Sequence, residues 1–87
     1  MYKAIFDEDW PKYFDGLEKN IRERAAKKIN KILESPEKRH LKKGAKFFVA
    51  EIGQNRIIYR VFEESEEVRF YFVGNHKEYE KWFKQFF

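Results

Sequence analysis

The chain has 87 residues, 43% hydrophobic and 39% charged, with a formal net charge of +4, so one packed domain over residues 1–87 is the expectation. Its 10 Phe, 5 Tyr and 2 Trp supply large buried areas and argue against a disordered tail. With no cysteine, disulfide scaffolds, thiolate metal sites and cysteine nucleophiles are excluded; with no long apolar run and no signal-peptide core, a cytoplasmic protein without membrane contact, metal or cofactor is expected.

In chain order, Tyr2 to Phe6 predicts a short strand. Asp7, Glu8 and Asp9, followed by Pro11, predict a helix start, because carboxylates favour the positive end of the helix dipole. This first helix carries Tyr13, Phe14 and Leu17 and weakens at Gly16. Asn20 with Glu23 three positions on has the form of a capping box opening a second helix, in which Ile21, Ala25, Ile29, Ile32 and Leu33 recur at helical spacing while Glu23, Arg24, Lys27 and Lys31 face away. Ser35-Pro36 ends it, since proline disfavours the helical region in the residue before it.

From Ala45 the hydrophobic period changes to two, and three strands are predicted, Ala45 to Ile52, Arg56 to Phe62 and Val68 to Gly74, joined by turns at 53–55 and 63–67. With Glu51 opposite Arg56, Phe48, Ala50, Ile52, Ile57, Tyr59 and Val61 share one apolar face that meets the helices. The other face collects Phe47, Val49, Glu51, Arg56, Ile58, Arg60 and Phe62. Arg69 and Tyr71 join it if Val68, Phe70 and Phe72 point into the core. His76 to Phe87 predicts a final helix with Tyr79, Trp82, Phe83 and Phe86 on one side. The order β-α-α-β-β-β-α defines an α+β sandwich, a mostly antiparallel four-stranded sheet with helices packed on one face.

The charge is unevenly spread: residues 1–18 carry −3, residues 19–46 carry +8 and residues 47–87 carry −1. Lys38, Arg39, Lys42, Lys43 and Lys46 fall in a stretch without an acid, beside His40. Such a run attracts polyanions, nucleic acid first, although by itself it also suits a solvated loop. The arginine-bearing sheet face beside it suits RNA, which is held by phosphate contacts and base stacking. The bland reading of that face is an Arg56–Glu51 cross-strand pair with the other arginines solvated.

Three blocks then stand out: Leu41-Lys42-Lys43-Gly44; Phe47 through Glu51-Ile52-Gly53-Gln54-Asn55-Arg56-Ile57-Ile58-Tyr59; and Phe72-Val73-Gly74-Asn75-His76-Lys77-Glu78-Tyr79. In order and spacing they resemble the RelE/ParE toxin superfamily, and Phe6 to Trp10 with Arg24 to Leu33 resembles its YoeB branch. The resemblance implies a RelE-like sandwich and the toxin of a type II toxin-antitoxin pair. It further implies a metal-independent, ribosome-dependent endoribonuclease acting on messenger RNA, with a RelB-like antitoxin, the ribosome and mRNA as partners. The alternatives are a ParE-like inhibitor of DNA gyrase and a catalytically silent RNA-binding relative.

Carried over by position, the catalytic set is Arg56, at the scissile phosphate, His76, after Val-Gly, and Tyr79 or Trp82 as the aromatic that orients the RNA. Lys42, Lys43, Lys46, Arg60 and Arg69 are the phosphate contacts, and Glu51 or Glu37 a second proton carrier. The chemistry is self-consistent. Attack by the RNA's own 2′-hydroxyl needs a base, cations for the phosphorane and an acid for the leaving oxygen, and an imidazole can serve as base or acid. His76 also suits a helix cap, and Tyr79 and Trp82 suit a core. Where RelE places lysines on its active face, this chain has Phe47 and Val49, and it has Glu51 where many relatives have arginine.

Overall fold

The computed structural model describes residues 1–36 and 47–85 in full and the backbone alone of residues 39 and 40. The expected phosphate contacts Lys42, Lys43 and Lys46, the proton carrier Glu37 and the block 41–44 lie outside the described residues. The elements run β1 (Lys3–Phe6), α1 (Trp10–Asp15), α2 (Lys19–Glu34), β2 (Arg39–His40), β3 (Phe48–Ile52), β4 (Asn55–Phe62), β5 (Glu67–Asn75) and α3 (His76–Lys84). The sheet order is β1-β5-β4-β3-β2, all pairs antiparallel except β1 with β5. It is therefore a mixed α+β sheet of four long strands, extended at the β3 edge by the two residues of β2.

The β3–β4 hairpin forms in the expected register, Glu51 opposite Arg56 and Ile52 opposite Asn55. Its turn needs a left-handed first residue, and Gly53 adopts φ +61 there while Gln54 does not, as in a type II′ turn matched to the strand twist. Helix α2 starts earlier than expected. Its N-cap is Glu18 without a side-chain cap bond, so Asn20 and Glu23 lie inside the helix and do not form a capping box. The capping box sits instead at α3, where Asn75 accepts from the Glu78 amide and Glu78 accepts from the Asn75 amide, both at 3.0 Å.

One face of the sheet packs against α1 and α2. Ala50, Ile52, Ile57, Tyr59, Val68, Phe70 and Val73 form this core with Trp10, Ala25, Ile29, Ile32 and Leu33. Phe70 is its centre, with ring centroids of Phe6, Trp10 and Tyr59 at 5.4, 5.8 and 5.9 Å. The Tyr59 hydroxyl is buried and donates to the Pro36 carbonyl at 3.1 Å, tying the end of α2's outgoing chain to the sheet.

Burial raises the Tyr59 phenol from its ordinary 10.0 to about 12. Between those values the unfolded chain releases this proton while the folded protein retains it, so stability falls as pH rises above 10. Tyr59→Phe should remove that part of the alkaline decline. At neutral pH it should cost about 1 kcal/mol for the lost hydrogen bond. Urea midpoints followed from neutral pH upward measure both.

The second face differs from expectation in two ways. A register shift between Ile58 and Tyr59 pairs Ile58 with Phe72 but Tyr59 with Phe70. Tyr71 is the extra residue of this bulge, and beyond it the alternation inverts. Phe72 therefore leaves the face of Phe70 and joins Val49, Ile58, Tyr79 and Trp82 in a second core. Accordingly the helices do not all pack on one face: α3 covers the second. The reason is apolar exposure. Without Tyr79 and Trp82 above them, Val49, Ile58 and Phe72 would face water together.

Candidate RNA-binding and catalytic site

Three of the residues singled out from sequence meet where β4 begins, β5 ends and α3 starts. Arg56 on β4 lies between Glu51 of β3 and Gly74 of β5. The side-chain-free Gly74 leaves little space to spare: a Cβ there would fall 2.8 Å from Phe72 Cζ and 2.9 Å from Glu78 Oε1. The chain then turns into α3 through the Asn75–Glu78 box, which sets His76 at the first position of the helix and Tyr79 one turn on. The Arg56 guanidinium carbon stands 5.0 Å from the Tyr79 ring centroid, and the His76 ring 6.2 Å from it.

The electrostatics follow from that packing. Burial pushes the Tyr79 phenol up, the Arg56 guanidinium pulls it part of the way back, and Glu80 adds a smaller upward push. Tyr79 is thus a neutral ring at physiological pH, a platform for Arg56 rather than a base. His76 projects into solvent with its Nε2 at 2.9 Å from Glu80 Oε1, which leaves Nδ1 as the edge open to a ligand. Glu80 was not among the residues singled out, although its i, i+4 spacing from His76 is legible in sequence.

Arg60 and Arg69 face each other across β4 and β5. Aromatic rings interleave with them: Arg60 lies 4.9 Å from Phe62 and 6.0 Å from Phe47, and Arg69 lies 5.8 Å from Tyr71. Arg69 also pairs with Asp7 Oδ1 at 3.1 Å, so much of its charge is compensated from the loop after β1. Four residues along β4 separate Arg56 from Arg60, roughly 13 Å at strand rise, so these arginines belong to the approach to the site and not to its centre.

Phe47 and Val49 have a packing role of their own. Val49 is buried under α3, and Phe47 meets Trp82 edge-on at 5.4 Å and Tyr71 at 5.3 Å. Trp82 in turn stacks on Phe72 at 5.7 Å. Tyr79 and Trp82 are 8% and 4% exposed, so both act as core residues that seat the helix. Glu51 is exposed beside Arg56.

The helix seat rests on its cap. Asn75→Ala should cost about 1 kcal/mol, within the 0.5–2 known for lost N-caps, because the Glu78 amide loses its acceptor. Thermal unfolding measures it, and the loss should be largely absent in Asn75→Ser or Asn75→Asp.

The fold is that of solved RelE toxins. The chain is similar over its entire length, and that of the other chain, to the isolated RelE toxin of E. coli, with 26% identity and a TM-score of 0.78. In a chain of the intact E. coli RelBE toxin-antitoxin complex the identity is 28% and the TM-score 0.78, over 86% of this chain and 96% of that one. The archaeal RelE-RelB complex of Pyrococcus horikoshii OT3 shares the fold, at 16% identity and a TM-score of 0.70 over 85% and 93% of the two chains. No family model and no curated protein sequence matches the chain. This likeness in fold, with 26–28% identity to E. coli RelE chains, supports assignment to the RelE toxin superfamily. Among the described residues no helix is long and apolar enough to cross a membrane.

Proposed function

We propose that residues 1–87 form a single-domain toxin of a type II toxin-antitoxin pair, which cuts messenger RNA on the ribosome in the cytoplasm and is held inactive by a RelB-like antitoxin. The observation that carries this reading is the placement of Arg56 and His76 beside the same Tyr79 ring at one end of a RelE-like sheet. In this mechanism the RNA 2′-oxygen attacks the neighbouring phosphorus while the bond from phosphorus to the 5′-oxygen breaks. The products are a 2′,3′-cyclic phosphate and a 5′-hydroxyl.

Arg56, held over Tyr79, neutralises the charge that builds on the phosphorane. His76, its Nε2–H committed to Glu80, takes the 2′-hydroxyl proton through Nδ1. Glu51, across the strand pair from Arg56, is the second proton carrier on that edge and passes a proton to the departing 5′-oxygen. Arg60, flanked by Phe62 and Phe47, guides the RNA backbone toward them. The chemistry uses protons and fixed charge and asks for no metal or cofactor.

The experiment is primer extension on mRNA in a translation extract with and without the purified protein. New 5′ ends inside codons that require ribosomes are the expected result. Intact mRNA with undisturbed translation would overturn the reading and direct the search to DNA gyrase.

A further inference from the structure

The sheet ends on one side at β1, whose inner edge is bonded to β5. The Lys3 amide donates to the Glu66 carbonyl and the Asp7 amide to the Phe70 carbonyl, both at 2.9 Å, so the odd-numbered residues turn their backbone groups inward. Backbone groups alternate along a strand, and Ala4 and Phe6 therefore turn theirs outward, where among the described residues no strand pairs with them. Helix α2 closes the start of this outer edge, because the Tyr2 amide donates to the Leu33 carbonyl at 3.0 Å. Side chains alternate as well. Ala4 and Phe6 share the face of Phe70, and the Phe6 residue is 46% exposed even though its ring stacks on Phe70. On the other face, Lys3 is exposed while Ile5 and Asp7 are half-buried. An open edge of this kind is a template for a further strand.

We propose that this edge pairs with the β1 edge of a second copy of the chain, antiparallel about a twofold axis at Ile5, joining the two sheets into one. In that register Ala4 of each copy faces Phe6 of the other, and each such pair exchanges both of its N–H···O bonds. The strand is self-complementary in this arrangement. Lys3 faces Asp7 of the second copy at both ends of the ladder. Asp7 gives its Oδ1 to Arg69, so Oδ2 is the oxygen that meets the incoming ammonium. The exposed Phe6 ring comes to lie beside the small Ala4, and Ile5 meets its own copy on the axis. Other pairings fail. A parallel pair sets Lys3 against Lys3 and Asp7 against Asp7. An axis at Ala4 calls on the Tyr2 amide, which α2 already holds, and an axis at Phe6 calls on Glu8, which lies in the turn before α1. So short a ladder belongs with small, reversible interfaces. It also leaves the site around Arg56 and His76 open, because Gly74 lies four residues past Phe70 along β5, roughly 13 Å away.

The test exploits the absence of cysteine from the chain. Ile5→Cys places one thiol of each copy on the axis, at a non-hydrogen-bonded pair whose Cα atoms stand about 4.5 Å apart, within the span of a disulfide. Oxidised glutathione should therefore link this variant into covalent dimers. Lys3→Cys lies in the same strand and at a more exposed position, yet its two copies stand about 14 Å apart across the axis, so it should link at least about tenfold more slowly. Sedimentation equilibrium then reads the unmodified association. Lys3→Glu, an exposed change that sets like charges against each other, should weaken the dimer about tenfold or more, as should Ala4→Pro, which removes an outward amide at an edge where proline is tolerated. Equal linking of the two cysteine variants would overturn the proposal. So would a wild-type chain that stays monomeric up to about 1 mM, a concentration at which even a weak interface is populated. Neither measurement reads cleavage, so the answer is the same whether or not the protein cuts mRNA.

Discussion

Phe72→Ala should destabilise the protein by about 3–5 kcal/mol, the largest single-residue loss expected outside the core around Phe70. Phe72 is fully buried, with Tyr13 edge-on at 4.9 Å, Trp82 stacked at 5.7 Å and Tyr79 at 6.4 Å. It is the floor on which α3 rests, and α1 leans on it from the side through Tyr13. The total stability of an 87-residue domain is itself on the order of 4–13 kcal/mol, so the alanine variant sits near the edge of folding. Phe72→Leu, expected to lose about 1–2 kcal/mol, keeps the test readable. Urea denaturation gives the energy. Hydrogen exchange gives the location, since the amides of α3 should lose protection before those of β4. If α3 stays as protected as the sheet in Phe72→Leu, Phe72 is not what seats it.

The second large effect is chemical. Arg56→Ala should lower the rate of ribosome-dependent mRNA cleavage by about 10²–10³-fold, the cost of removing one preorganised group that stabilises developing negative charge. The fold should survive, because the stack of Arg56 on Tyr79 contributes only about 0.5–1 kcal/mol. His76→Ala should lose about 10²–10⁴-fold through the missing proton acceptor. A gyrase-blocking protein would tolerate that second change, so the pair of variants separates the two kinds of toxin. Cleavage at the wild-type rate by both would show that neither residue carries the chemistry.

What the sequence made legible was whatever depends on local pattern. The register of the β3–β4 hairpin could be read because Gly53-Gln54 and strict alternation on either side leave one solution, and that register alone places Arg56 beside Glu51. The bulge could not, since in Phe70-Tyr71-Phe72 three successive aromatic residues erase the period that would have revealed a change of face. With the bulge unseen, the second core and the placement of α3 were unseen too. Asn20 and Glu23 matched the capping pattern but each lies two positions past the place that a box on the N-cap Glu18 requires, whereas Asn75 and Glu78, with the same spacing, form the box. The compensation of Arg69 by Asp7 joins residues 62 positions apart, and no local pattern encodes it.

The parallel pairing of β1 with β5 bears on how the molecule comes into being. Lys3 meets Glu67 and Phe6 meets Phe70, so β1 waits for the 64 positions between partners to be made before it finds its neighbour. Closing so long a segment slows folding, because its entropy must be lost before the contacts that compensate it form. A nascent chain lacking β5 has β1 unpaired and β4 open on the edge where Gly74 and Phe72 belong. Any activity that depends on this sheet therefore arises only once β5 has been made and does not grow with the length of the emerging polypeptide.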